Sequence, residues 1–290
     1  MNKNKITKKN IIIIDIFIFT LISFLLLLII YILDDSRIDK NILKNQETVS
    51  LISSENLIDI KGKNDIYVGK IKKEYGIIVE YGESTKDYST KFNATIQTNE
   101  NIINNNLNIL YKTLQKYPSE VFSKYNNLTI ILFDKFENTD LALASRSGLN
   151  NFSIYICNTE KFERTLHHEI YHILEYHIED NNEVCFTSWN KLNPTNFKYD
   201  SNLANLNDLY VYNSKVNSLL DYSNIYFVSK YSKTSEQEDR AETFAEAMLI
   251  INSANFLKNT KNLNEKIKEI DNQIKNNITV KNLYYYKFIE

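Results

Sequence analysis

The 290-residue sequence predicts an α+β fold set behind one N-terminal membrane anchor. Three observations carry this. An apolar run near the N-terminus is as long as a bilayer is thick. Strand-like segments are confined to the stretch ending at Cys157. Beyond it the apolar period turns helical and stays so.

The anchor comes first in the chain. Ile16 to Leu33 reads IFIFTLISFLLLLIIYIL, and Ile11 to Ile14 extend it backwards past Asp15. A hydrocarbon core of ~30 Å takes roughly 20 such residues in a helix, so 11–33 is predicted to span. No polar face recurs every three or four residues, which argues against a buried core helix. Lys3, Lys5, Lys8 and Lys9 precede the run and Asp34 and Asp35 follow it. The positive-inside bias leaves residues 1–10 in the cytoplasm and sends everything after Leu33 outside. No small-residue cleavage pattern stands near Leu33, so the segment reads as an uncleaved signal anchor. A single-pass protein of the cell membrane, displayed on a bacterial surface, is the expectation.

Residues 34–64 are polar and without a clear period, as a stalk would be. Residues 65–290 then form one domain. Tyr75 to Tyr81 (YGIIVEY) is strand-like. Ile103, Leu107, Leu110, Tyr111 and Leu114 share a helical face that Pro118 terminates. Leu128 to Phe133 (LTIILF) and Phe152 to Cys157 (FSIYIC) read as further strands, the latter as an edge strand able to pair with an extended ligand. Phe162, Leu166, Ile170, Ile173 and Leu174 mark the next helix. Asn190 to Asn224 is irregular and reads as a surface insertion. A helix from Glu236 to about Ala254 follows, with Ser235 as its N-cap. Lys258 to Asn277 closes the order, striped by Leu263, Ile267, Ile270 and Ile274.

Composition narrows the partners. Lys+Arg 34 against Asp+Glu 36 gives a net charge of −2, without the basic footprint of a nucleic-acid binder. Gly 5 and Pro 2 exclude collagen-like and Pro-rich architectures. Cys157 and Cys185 make neither a disulfide framework nor a cysteine metal site; free thiols or one bridge remain open.

All four histidines, His167, His168, His172 and His177, fall within one predicted helix. Inside it stands H-E-x-x-H, from His168 through Glu169 to His172. Residues at i and i+4 lie on one helix face, so both imidazoles can reach one metal ion, with Glu169 placed to take a proton from a metal-bound water. His167 points away from the pair, and His177 falls on the apolar side, so both are assigned packing or solvent roles. A catalytic zinc takes three protein ligands and keeps one open position. With no further histidine in the chain, the third ligand must be a carboxylate or nothing. Glu238, Glu242 and Glu246 stack at four-residue intervals on the helix that follows Ser235; a bound cation is one good reason to tolerate their mutual repulsion, and a solvated acidic helix face is the other reading. Glu238 has a competing use, since a Glu three residues after a Ser can close a capping box.

The segment YSKTSEQEDRAETF, Tyr231 to Phe244, resembles the third-ligand segment of the anthrax lethal factor catalytic-domain family and of the related Pro-Pro endopeptidases. The resemblance covers His168 to about Ser253 in two short blocks. It implies a zincin-like metallopeptidase domain with a small mixed sheet, an active-site helix and a mainly helical C-terminal part. It implies further that Glu238 is the zinc ligand, Glu242 a partner behind the ligands one turn later, and Tyr231 a hydroxyl donor near the scissile carbonyl. A second register, on ETFAEAM from Glu242, makes Glu242 the ligand and Glu246 its support, but puts Ser235 where the tyrosine belongs. The expectation is a membrane-anchored, extracytoplasmic zinc endopeptidase of the gluzincin type. It would act on a peptide or protein substrate, with Glu169 as general base, Zn2+ as cofactor and no nucleic-acid partner. A surface protein of binding or immunity type that kept the fold without turnover is the alternative.

Overall fold

The computed structural model of the chain describes residues 54–125, 127–138, 140–148, 151–181, 185–205, 225–249 and 260–278. The predicted cytoplasmic stretch 1–10, the spanning segment 11–33 and the stalk up to residue 53 lie outside the described residues, as does 206–224 of the insertion. No helix among the described residues is long and apolar enough to cross a membrane. By its internal contacts the chain divides into Met1–Ile58 and Asp59–Glu290.

Helix α1 spans Ser54–Tyr75, so the end of the predicted stalk is helical. The pattern hides this because its buried face is dilute. Ile71 and Tyr75 are buried, but the position two turns earlier is Asn64, also buried. Asn64 donates to Glu100 Oε2 at 2.7 Å and accepts from Asn104 at 2.8 Å, which makes its burial tolerable. Gly76, at φ +72°, ends the helix where a side chain would be strained. The predicted Tyr75–Tyr81 strand is thereby shortened to β1, Ile78–Glu80.

Four more strands complete a mixed sheet: β2 (Ala94–Ile96), β3 (Asn127–Phe136), β4 (Ala142–Arg146) and β5 (Asn151–Cys157). Their order is β1-β3-β5-β4, with β2 paired to the far end of β3. β1 and β5 run parallel to β3, and β4 runs antiparallel to β5. This corrects one expectation: Phe152–Cys157 is flanked on both sides, and β4 is the edge. The sequence of β4 (ALASR) has only one buried position, Ala144, so it carries little strand signal. Strand period two divides the sheet residues between two cores. Leu128, Ile130, Leu132, Phe152, Ile154 and Ile156 join the large core; Ile131, Phe133, Tyr155 and Cys157 join a smaller one with Tyr88 and Phe92 of α2 (Lys86–Phe92).

Helix α3 (Glu100–Leu114) starts at Asn99, whose side chain accepts from the Asn101 and Ile102 amides. Its Ile103, Leu107, Leu110 and Leu114 enter the large core, each worth about 1.5–3 kcal/mol of burial. Helix α4 (Phe162–Asn181) follows β5 and packs on β4, β5, α3, α5 (Glu236–Met248) and α6 (Lys261–Ile278). The predicted stripe of α6 is buried as a whole, and Lys266 is buried with it.

Candidate metal centre

The site lies between two helical stripes. On α4 the apolar positions Phe162, Leu166, Ile170, Ile173 and Leu174 fill the large core. The other side presents Arg164, His168 and His172, spaced by four. On α5 the glutamates Glu238 and Glu242 face them. Ser235 caps α5 by accepting from the Glu238 amide at 3.2 Å. Its cap uses only the Glu238 backbone, and the Glu238 carboxylate reaches the histidines.

There His168 Nε2 stands 3.0 Å from Glu238 Oε2, His172 Nε2 stands 3.6 Å from the same oxygen, and the two Nε2 atoms are 3.1 Å apart. Three ligands at the bond lengths of a tetrahedral zinc site lie about 3.3 Å from one another. The trio therefore fits such an ion without rearrangement, and it is the metal-ligand cluster found among the described residues. Glu238 Oε2 is also buried without a hydrogen-bond partner of good geometry.

Electrostatics point the same way. Burial opposes charge on His168, yet hydrogen bonds to Glu238 and Glu242 outweigh it and raise its pKa to about 10. His172 is raised to about 9 against burial by Glu175 and Glu238. Glu238 and Glu242 are held well below the carboxylate range, despite burial, by the histidines and by Arg164. Protons on the imidazoles thus supply the positive charge that the carboxylates call for.

Glu169 is buried beside this trio. Burial raises its pKa, the histidines oppose the rise, and the Ala144 backbone hydrogen-bonds to it from edge strand β4. Tyr231 opens the short 3-10 turn Tyr231–Lys233, with its ring centroid 6.0 Å from that of His168 and its hydroxyl on Glu238. The turn is pinned by reciprocal bonds between Ser229 and Ser232, and by Thr234 donating to the Tyr231 carbonyl at 2.8 Å. Glu242 takes the other nitrogen of His168, Nδ1, at 2.9 Å.

No protein-family model and no curated protein matches the chain. Among solved structures, a candidate zinc-binding metallo-peptidase from Bacteroides caccae superposes over 82% of this chain and 92% of its own, with a TM-score of 0.46 at 13% identity. At that distance the likeness carries neither site nor activity, which stand on the distances above.

The remaining histidines sit elsewhere. His167 is fully buried with Nδ1 2.5 Å from the Tyr117 hydroxyl. His177 packs edge-on against Tyr125 at 5.6 Å. Both cysteines are free. Three residues around the site were not anticipated from sequence. Arg164 grips Glu242 with both terminal nitrogens, at 2.7 and 2.9 Å. Glu175 faces His172 Nδ1 at 3.7 Å, and Arg240 is hydrogen-bonded to Glu175. Helical spacing could have found Arg164 and Glu175, which lie four residues before His168 and three after His172.

Proposed function

We propose that the chain is a zinc-dependent endopeptidase, with His168, His172 and Glu238 holding the metal. The observation that carries this is the convergence of two Nε2 atoms and one carboxylate oxygen within 3.0–3.6 Å, flanked by Glu169 and Tyr231. His168, His172 and Glu238 would hold a zinc ion there, and such an ion would supply Lewis acidity toward a carbonyl and toward water.

The chain's own groups divide the remaining work. Glu169, whose carboxyl burial makes more basic than usual, accepts the proton of the attacking water and returns it to the departing amine. Burial and nearby carboxylates push the Tyr231 hydroxyl far above its usual range, so it stays protonated and can donate to the developing oxyanion. Edge strand β4 offers backbone groups to an extended substrate, and its Ala144 amide already touches Glu169. Residues 11–33 anchor this domain on the outer side of the cell membrane, supported by the apolar run and the lysines before it. External protease on intact cells should then release the domain, and complete protection would reject that topology.

The activity is tested on a peptide library with purified full-length chain. Glu169→Gln should retain zinc and lose about 10²–10⁴-fold in turnover. Tyr231→Phe should retain zinc and lose about 10²–10³-fold. Zinc bound without cleavage in the wild type would instead identify a catalytically silent binding protein.

A further inference from the structure

Behind the trio, each histidine turns its Nδ1 toward a glutamate, and each glutamate is gripped by an arginine. On one side His168 Nδ1 lies 2.9 Å from Glu242 Oε1, and Arg164 holds both oxygens of that carboxylate. On the other, His172 Nδ1 faces Glu175 Oε2 at 3.7 Å, and Arg240 Nε donates to Glu175 Oε1. The arms are reciprocal. Helix α4 gives the arginine and α5 the glutamate in the first; α5 gives the arginine and α4 the glutamate in the second. The arginine and glutamate side chains are nearly enclosed, at 12% and 4% exposure in the first arm and 4% and 1% in the second.

We propose that Arg164 and Arg240 are positioning residues that set metal affinity, and that Arg164 decides which glutamate of α5 becomes the ligand. The inference rests on the zinc reading above. A neutral imidazole binds metal through one nitrogen, and the hydrogen-bond partner of the other fixes which. A carboxylate at Nδ1 draws the hydrogen there and leaves the Nε2 lone pair for the ion.

Glu238 and Glu242 stand one turn apart, and both reach His168. A Glu242 left to rotate would compete for the cation. The planar fork of Arg164 fixes both its oxygens and keeps it on Nδ1, so Glu238 alone faces the two Nε2 atoms. Glu246 stands behind the guanidinium, 3.8 Å from Arg164 Nε.

The test is zinc affinity of the full-length chain by chelator competition, with circular dichroism of the metal-free protein as the folding control. Arg164→Met should weaken zinc about 10–100-fold with the fold intact. Adding Glu242→Gln to Arg164→Met should cost little more, because both changes act on one nitrogen. Nitrogen-15 NMR of the zinc-loaded wild type should show His168 ligated through Nε2 with a protected Nδ1–H, and Arg164→Met should lose that protection. Arg240→Lys keeps charge beside the buried Glu175 while removing the Nε donor, and should weaken zinc less than about tenfold because the second arm is longer. Affinity within about twofold of wild type in Arg164→Met, or additive losses in the double variant, would overturn the proposal. His168→Ala separates the two levels. If it strips zinc while Arg164→Met does not, only the positioning role falls. If it binds zinc as the wild type does, the metal site falls too.

Discussion

Buried polar side chains before α4, among the described residues, are Asn64, Thr85, Gln97, Asn106 and Thr113, and none can carry a charge. From α4 onward the buried set includes His167, His168, Glu169, Glu175, Asp239, Arg240, Glu242 and Lys266. The first region is held by apolar packing around the sheet. The second spends part of its interior on ions. A buried ion pair costs several kcal/mol in desolvation per ion and often stabilises no more than apolar residues of the same volume. A fold under no chemical demand gains little from such an interior. Its concentration between α4, α5 and α6 marks where the demand lies.

The sharpest way to break this contrast is to remove single charges from the second region and ask which one the metal needs. Glu238→Ala takes away the oxygen that faces both Nε2 atoms and should abolish zinc retention. Glu242→Ala removes the group behind His168 and should weaken zinc by about 10–100-fold. Zinc contents of the two proteins, measured side by side, decide the matter; metal retained in Glu238→Ala would give the ligand role to Glu242.

The next effect concerns stability. Lys266, fully buried, donates to Asp239 Oδ2 at 2.6 Å and to the Tyr226 carbonyl at 2.8 Å. The same Asp239 oxygen accepts from Trp189 at 3.1 Å and Tyr199 at 2.8 Å. Lys266→Met should cost about 3–5 kcal/mol in urea unfolding, since it leaves a buried carboxylate unpaired. Lys266→Met with Asp239→Asn removes both charges, keeps an acceptor for Trp189 and Tyr199, and should recover most of the loss. A double variant as unstable as the single would mean that shape, not charge, is what the region has spent.

Legibility from sequence follows the same division. The stripes of α3 and α6 and the central strands β3 and β5 could be read because apolar periodicity reports burial directly. H-E-x-x-H and the four-residue ladder of glutamates could be read because a helix converts spacing into a shared face. Glu238 and Glu242 could only be ordered by resemblance, since spacing treats them alike. Arg164 separates them in space by holding Glu242, from a helix more than fifty residues away in sequence. Lys266 was hidden for a related reason: a charge inside an apolar stripe reads as surface until its partner is known. Strand β4 escaped because an edge strand buries too little to show a pattern.

In the first region the matching experiment is apolar. Leu107 is fully buried in the large core, and Leu107→Ala should cost about 2–5 kcal/mol from lost transfer energy and the cavity left behind. Zinc affinity of the folded protein should stay at the wild-type value. A loss of zinc comparable to that of Glu242→Ala would show the two regions to be one mechanical unit.

His177 gives the smallest effect and the finest control, because it shares a helix with both histidines of the proposed metal site. It sits five residues past His172, which turns it roughly 140° around the helix axis away from that ligand. Its ring meets Tyr125 edge-on at 87°, and burial, helped by Lys124, holds its pKa below the usual value. It is therefore a neutral aromatic packing partner near physiological pH. His177→Ala should lose the edge-to-face contact, about 0.5–1.5 kcal/mol, together with a modest burial term. Zinc content and peptide turnover of the variant should match wild type. A drop in zinc with the fold intact would mean that the metal draws on the apolar face of α4 as well, and the division between a packed region and a charged one would have to be abandoned.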